Sequence, residues 1–410
     1  MACLAIVLAA LATAVEPQYV FINKAPGIEW HQAHPETFTP ESLEAIVDAI
    51  GAPRDGHLRI GVTFTFSTLQ TPVEVLAESL RNLLEAGEST GIPVMVGFDG
   101  QNWWGERPDL WNWWDPDKPG YNPANAHNVE WTEWNPASAV KLGWRNWGSQ
   151  LRVHPQPNLA SPAVIAAHVE PLKALAPIVA AWYRGLPAER RYLLGGVKVG
   201  HEAGIGYNAF YYPDGNTYLE RWPDDTSHDP RHGLDLKAGL SGGAAQLGYA
   251  AVKTAGIKHE GTITREDLGK VTQRYLTTLA KAVHDCGLPR ERIYTHQGGT
   301  YPPWGAHYPF WPAINVWSTP GWSFYGLDPH ACEGLAEALD DAGCDRWAAV
   351  EWWWGAPDAD TWRDHFERTL GFRDCRFLAV FNWNCGFAFQ NEPAGHEALR
   401  RLVKERTGHR

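Results

Sequence analysis

The chain has 410 residues, 44% of them hydrophobic and 20% charged, which is enough for one large core. Its formal net charge is −12 and it holds no block of Lys and Arg, so nucleic acid and anionic membrane surfaces are set aside as partners. The 22 Trp against only 2 Met supply large flat apolar faces, suited to stacking on sugars and equally to an aromatic core.

Leu4 to Thr13 is an apolar segment too short to span a bilayer, and Ala12-Thr13-Ala14 has the small-x-small form of a cleavage site before Val15. No Lys or Arg precedes it. Residues 1–14 are expected to be a signal peptide, with 15–410 exported, secreted or periplasmic, as a single domain without a membrane span. Loss of Cys3 would leave five cysteines, an odd number, and no CxxC pair points to zinc or redox chemistry.

Tyr19 to Ile22 reads as a first strand. Thr39-Pro40 then opens a helix with Leu43, Ile46, Val47 and Ile50 at helical spacing, stopped by Gly51. The pair repeats: Leu58 to Phe66 is a second strand, Thr71-Pro72 opens a second helix, and Ile92 to Phe98 is a third strand ending at Asp99-Gly100. From Gln101 to about Pro162 no periodicity holds, although nine Trp fall there, and a loop of that length in a compact domain is usually functional. Glu106, Glu130 and Glu133 lie within it as rival acids.

Ser161-Pro162 starts a helix to about Arg184, and Tyr192 to Gly200 is a fourth strand running into His201-Glu202-Ala203-Gly204. A second aromatic loop, Tyr207 to His232, precedes helical stretches over 236–255 and 264–286. Arg292 to Thr295 is a fifth strand delivering His296-Gln297, and the connection to Pro312 is too short and too rich in Pro and Gly for a helix. Ala313 to Trp317 is expected as the sixth strand, with Trp322 to Tyr325 beyond it and a helix over 328–342. Trp347 to Glu351 is a seventh, a helix follows over 360–370, Phe377 to Phe381 is an eighth, and a helix over 395–406 closes the chain. Eight strands alternating with helices predict an α/β fold, a (β/α)8 TIM barrel with long aromatic loops after strands 3 and 4 and without a fifth helix.

In a barrel, residues just after the strands meet at one mouth. That convergence is expected to bring together Asp99, His201, Glu202, His296, Gln297, Tyr325, Glu351, Trp383 and Asn384. A carboxylate among indoles, as in Val350-Glu351-Trp352-Trp353-Trp354, is costly to leave charged without a partner and asks for a role. Glu202 and Glu351 make a pair of the kind glycoside hydrolysis uses, one protonated and one ionised. The bland alternatives are a capping Glu202, a Glu351 neutralised by Arg or Lys, and Trp that only pack the core. His31-x-x-His34 and His228-x-x-x-His232 have metal-like spacing without a third ligand nearby, and neither a metal site nor a cofactor is assigned.

This arrangement resembles the clan A glycoside hydrolases, retaining (β/α)8 enzymes, over most of residues 18–407. The resemblance implies Glu202 as acid/base after the fourth strand and Glu351 as nucleophile at the end of the seventh. It also implies Tyr325 as a tyrosine holding that nucleophile, and Trp383 under the sugar. Asp99, His201, His296 and Trp352 complete the expected substrate contacts to an oligo- or polysaccharide. Two positions depart from the clan's pattern: His201 stands where Asn is usual, and Gly61 to Phe66 offers no Arg on the second strand. An inverting hydrolase using the same glutamates and a catalytically silent glycan-binding protein remain as alternatives.

Overall fold

Runs of β-branched and aromatic residues bounded by Gly, Pro and Asn become strands buried on both faces, the pattern that a fully covered parallel sheet demands. A computed structural model describes residues 16–25, 30–100, 106–141, 143–146, 150–153, 155–205, 207–210, 244–298, 309–385 and 388–407, without the side chains of 143–146, 150–153, 201, 207–210, 244 and 245. Eight parallel strands close a barrel in sequence order: β1 Gln18–Asn23, β2 Leu58–Ser67, β3 Val94–Asp99, β4 Leu194–Ala203, β5 Ile293–Gln297, β6 Gly321–Tyr325, β7 Arg346–Trp353 and β8 Asp374–Val380, which returns to β1. The predicted (β/α)8 barrel is the fold. The leader expected over 1–14 lies outside the described residues.

Helices cover the outside: α1 Pro40–Ile50, α2 Val73–Thr90, α3 Pro162–Gly185, α4 Arg265–Asp285, α5 Leu335–Asp341, α6 Ala359–Leu370 and α7 Pro393–Thr407. The punctuation read from sequence forms as expected at α1. Thr39 accepts from Ser42 N in a reciprocal capping box, Pro40 takes the first position, and Gly51 ends the helix at φ 70°. α3 is long and apolar enough to cross a membrane by length and composition, yet it packs between α2 and α4 and buries Val164, Leu172, Leu175 and Val179.

Inside the barrel, Tyr19, Phe21, Met95, Tyr294, Ala348, Val350, Phe377 and Ala379 form an apolar floor. Polar residues lie beyond it, toward the C-terminal strand ends. Among the described residues, Trp322, Trp347, Trp352 and Trp362 are fully buried between barrel and helices. The five cysteines from Cys286 to Cys385 are all free.

Three expectations need correction. The sixth strand is Gly321–Tyr325, not 313–317: Trp311–Ala313 is a 3-10 turn, and Asn315 folds the next residues back by accepting from Trp317 N at 2.8 Å, leaving Val316 exposed. The helix expected over 328–342 is a 3-10 turn, Pro329–Ala331, separated from α5 by Gly334 at φ 81°. Of the stretch expected over 236–255, the described helix is only Tyr249–Thr254.

Part of the long loop after β3 can be followed. Leu110, Trp111, Ala126, Val129, Trp131 and Ala139 form a second apolar cluster with Leu69, just past β2, and with Val164 and Ala250 in the first turns of helices that follow strand ends. These neighbours lie at the C-terminal end of the barrel. Glu130 fixes the loop there by accepting from Gly248 N at 2.9 Å, before the helix Tyr249–Thr254. Trp103, Trp104 and Trp147 lie outside the described residues.

Candidate active site

Strict alternation along β7 would turn Glu351 outward, because Ala348 and Val350 already face the floor. A β-bulge prevents this. Trp322 and Ser323 are consecutive on β6, but they pair with Ala349 and Glu351, so Val350 is an extra residue and Glu351 also turns inward. Glu351 is 1% exposed. Its Oε1 accepts from Lys198 Nζ at 3.2 Å, and its Oε2 accepts from the Tyr325 hydroxyl. Lys198 is itself 2% exposed, so this ion pair is out of water.

β4 carries a larger irregularity. Ala203 pairs two residues beyond Val199 on the β5 side but lies four beyond it on its own strand, so two residues are extruded between them. Gly200 at φ 76° and Glu202 at φ 47° absorb the turn. A non-glycine residue held in the left-handed region is strained, and such strain gathers at functional positions. Glu202 is half-buried, and its Oε1 accepts from Ser323 Oγ at 3.0 Å. Ser323 Oγ lies 2.7 Å from His296 Nε2, so a chain of contacts links His296, Ser323 and Glu202. One oxygen or nitrogen from each of Glu202, His296 and Glu351 lies within 4.8 Å of the others.

Tyr325 stays protonated. Burial first, then the charges of Glu351 and Glu202, hold its phenol well above the ordinary value, so it serves Glu351 as a donor. Glu202, His296 and Glu351 are also metal-ligand types. Lys198 and Tyr325, however, already address both Glu351 oxygens, and that donor set suits hydrogen bonding to a carboxylate better than cation coordination.

The structure brings Glu202, His296, Tyr325 and Glu351 together and places buried Asp99 at the end of β3. It does not bring Trp352 there. That ring is fully buried on the helix side, parallel to Phe366 with Nε1 donating to Thr369, because the residue after the bulge resumes the outward direction. Trp383 is 8% exposed and stacks on His396 of α7. The His201 side chain lies outside the described residues. Of the rival acids, Glu106 and Glu133 are exposed loop residues and Glu130 is a buried anchor.

Lys198 and Ser323 were missed. A single Lys in the otherwise apolar Leu194-Gly-Gly-Val-Lys-Val-Gly, on a strand buried on both faces, demands a buried anion. Ser323, two residues before Tyr325 on one strand, had to share its face.

No family model and no curated protein matches the sequence. Solved structures similar to it include a GH5-4 broad-specificity endoglucanase from an uncultured bacterium, 12% identical over 97% of this chain and 95% of that one, with a TM-score of 0.43. A GH5 xyloglucan-specific β-1,4-glucanase from a ruminal metagenomic library is 11% identical over 96% and 97%, with a TM-score of 0.41. A GH26 β-mannanase from Bacteroides ovatus is 11% identical over 95% and 89%, with a TM-score of 0.39. The barrel assignment rests on the closed strand order, independently of these overlays.

Proposed function

We propose that the chain is a retaining glycoside hydrolase acting on a β-linked oligo- or polysaccharide, with Glu351 as nucleophile and Glu202 as acid/base. The observation that carries this reading is the approach of a Glu202 and a Glu351 oxygen to within 4.8 Å at the strand ends of a barrel. Two carboxyls this near one another suit a two-glutamate mechanism, and retention, with carboxyl groups about 5–5.5 Å apart, asks for a tighter pair than inversion at about 6.5–9.5 Å.

The environments divide the labour. Glu351, facing an ammonium and a phenol donor, is suited to remain ionised and attack the anomeric carbon. The glycosidic oxygen departs with the proton of Glu202, leaving a glycosyl ester on Glu351. Glu202, now a carboxylate, takes a proton from water as that water attacks the same carbon, which frees the sugar with retained configuration and restores both carboxyls. The proposal includes export, with residues 1–14 as leader, supported by the apolar run and the Ala12-Thr13-Ala14 pattern. Recovery of a mature chain beginning at Val15 would bear that out.

The decisive test is sugar release from a panel of β-linked glycans by the wild type and Glu351→Gln, with NMR of the first anomer formed. The expected outcome is release of the β-anomer by the wild type only. Release of the α-anomer overturns retention, and equal release by both proteins overturns the role of Glu351. Binding without release by the wild type leaves a glycan-binding protein instead.

A further inference from the structure

Two carboxyl groups this close compete for ionisation, and the groups around them must decide which one yields its proton. Glu351 is faced by Lys198 from β4, Tyr325 from β6, Glu202 from the end of β4, and His296 from β5. Asp99, the last residue of β3, and Lys24, just after β1, are further buried charged residues at the strand ends. Tyr325 donates without bringing charge. Lys198 brings an ammonium onto Glu351, with nearly all of both side chains removed from water.

We propose that Lys198 is the positioning residue that assigns the two carboxyls their roles, holding Glu351 ionised and thereby leaving the shared proton on Glu202. The inference rests on the hydrolase reading only for its kinetic consequence. Its physical content is the asymmetry. A Lys198 ammonium and a Glu351 carboxylate sum to zero, and ionising Glu202 as well would place a second negative charge within 4.8 Å of Glu351. Exchanging the roles would strand the ammonium beside a neutral acid, which burial penalises. Tyr325 and Ser323 cannot make this choice, since each donates a hydrogen bond to one glutamate without net charge.

Toward its C-terminal end the second strand supplies Thr63, Thr65 and Ser67 but no cation, its Arg59 lying near the other end over the Tyr192 ring. The positive charge arrives instead from β4, four residues before Glu202 on the same strand, so one strand carries both the acid and the group that keeps the acid protonated. Room for this comes from Gly97 on β3: a Cβ there would lie 2.6 Å from Thr65 Oγ1 and 3.2 Å from Lys198 Cε.

The test replaces Lys198 with Met, of similar length and no charge, and with Arg, which restores the charge. Each protein is titrated by NMR of 13C-labelled glutamate carboxyls, with Glu351 assigned from its absence in Glu351→Gln. The inference expects the Glu351 midpoint to rise by about 1–3 pH units in Lys198→Met and to return most of the way in Lys198→Arg. The acid limb of kcat/KM should move by the same amount, with kcat falling about 100-fold or more at neutral pH and KM little changed. Should Lys198→Met fail to fold, Gly97→Ala, which presses on Lys198 from the far side, should move both readouts in the same direction by less. An unmoved Glu351 midpoint in the folded Met variant, or an equal midpoint shift in Lys198→Arg, overturns the proposal. A wild type that releases no sugar overturns the hydrolase reading alone, because the carboxyl titration still decides the role of Lys198.

Discussion

Glu130 offers a prediction whose size follows from its surroundings. The carboxyl is fully buried beneath the loop after β3, and burial pushes it up to about 8, against the pull of the backbone N–H groups of Ala251, Gly248, Trp131 and Ala250. The folded state therefore prefers the proton. Stability contributed by that preference is complete below the ordinary carboxylate value of 4.5 and is lost as pH rises toward 8. At about 1.4 kcal/mol per pH unit, the wild type gives up roughly 3 kcal/mol by pH 7 and about 5 kcal/mol by pH 9. Glu130→Gln keeps an acceptor for Gly248 N and cannot ionise. Its stability relative to the wild type should start near equality at pH 5 and grow to several kcal/mol at pH 9. Urea unfolding followed by Trp fluorescence at fixed steps from pH 5 to 9 reads this directly. A difference that stays constant with pH, or narrows as pH rises, would refute the argument.

Two further outcomes are expected. Tyr325→Phe removes a hydrogen bond to a charged carboxylate worth about 1.5–3 kcal/mol, so kcat should fall about 10- to 150-fold with the fold retained; steady-state kinetics beside a melting curve separates the two effects. Trp352→Ala should lower stability by about 3–5 kcal/mol while the folded protein keeps its KM, because the ring fills the space between β7 and α6. A raised KM at unchanged stability would return Trp352 to the binding site.

The barrel was legible because its signals are local: apolar runs, capping residues and glycine stops recur at the spacing of a strand followed by a helix. Glu351 and Glu202 could be picked out as strand-end acids for the same reason. What could not be read was direction. Trp352 is expected among the substrate contacts, but the bulge at Val350 lets Glu351 face inward without carrying the next residue along. The sixth strand was misplaced because Ala313 to Trp317 has strand-like composition, whereas Asn315 bends it into a turn through side-chain contacts. Lys198 was passed over because its partner lies 153 residues away.

The backbone at Glu202 has a consequence for how this chain can change. At φ 47° a side chain with a Cβ costs about 1–2 kcal/mol, and glycine is the residue that such a position ordinarily favours. The amino acid that suits the backbone and the amino acid found there are different. A screen of position 202 for heat resistance alone would thus be drawn toward glycine or asparagine, and its winners would be the variants that had given up the carboxyl. Improving this protein's endurance and preserving its chemistry are opposed at that one residue, so a stabilised form has to gain its margin elsewhere.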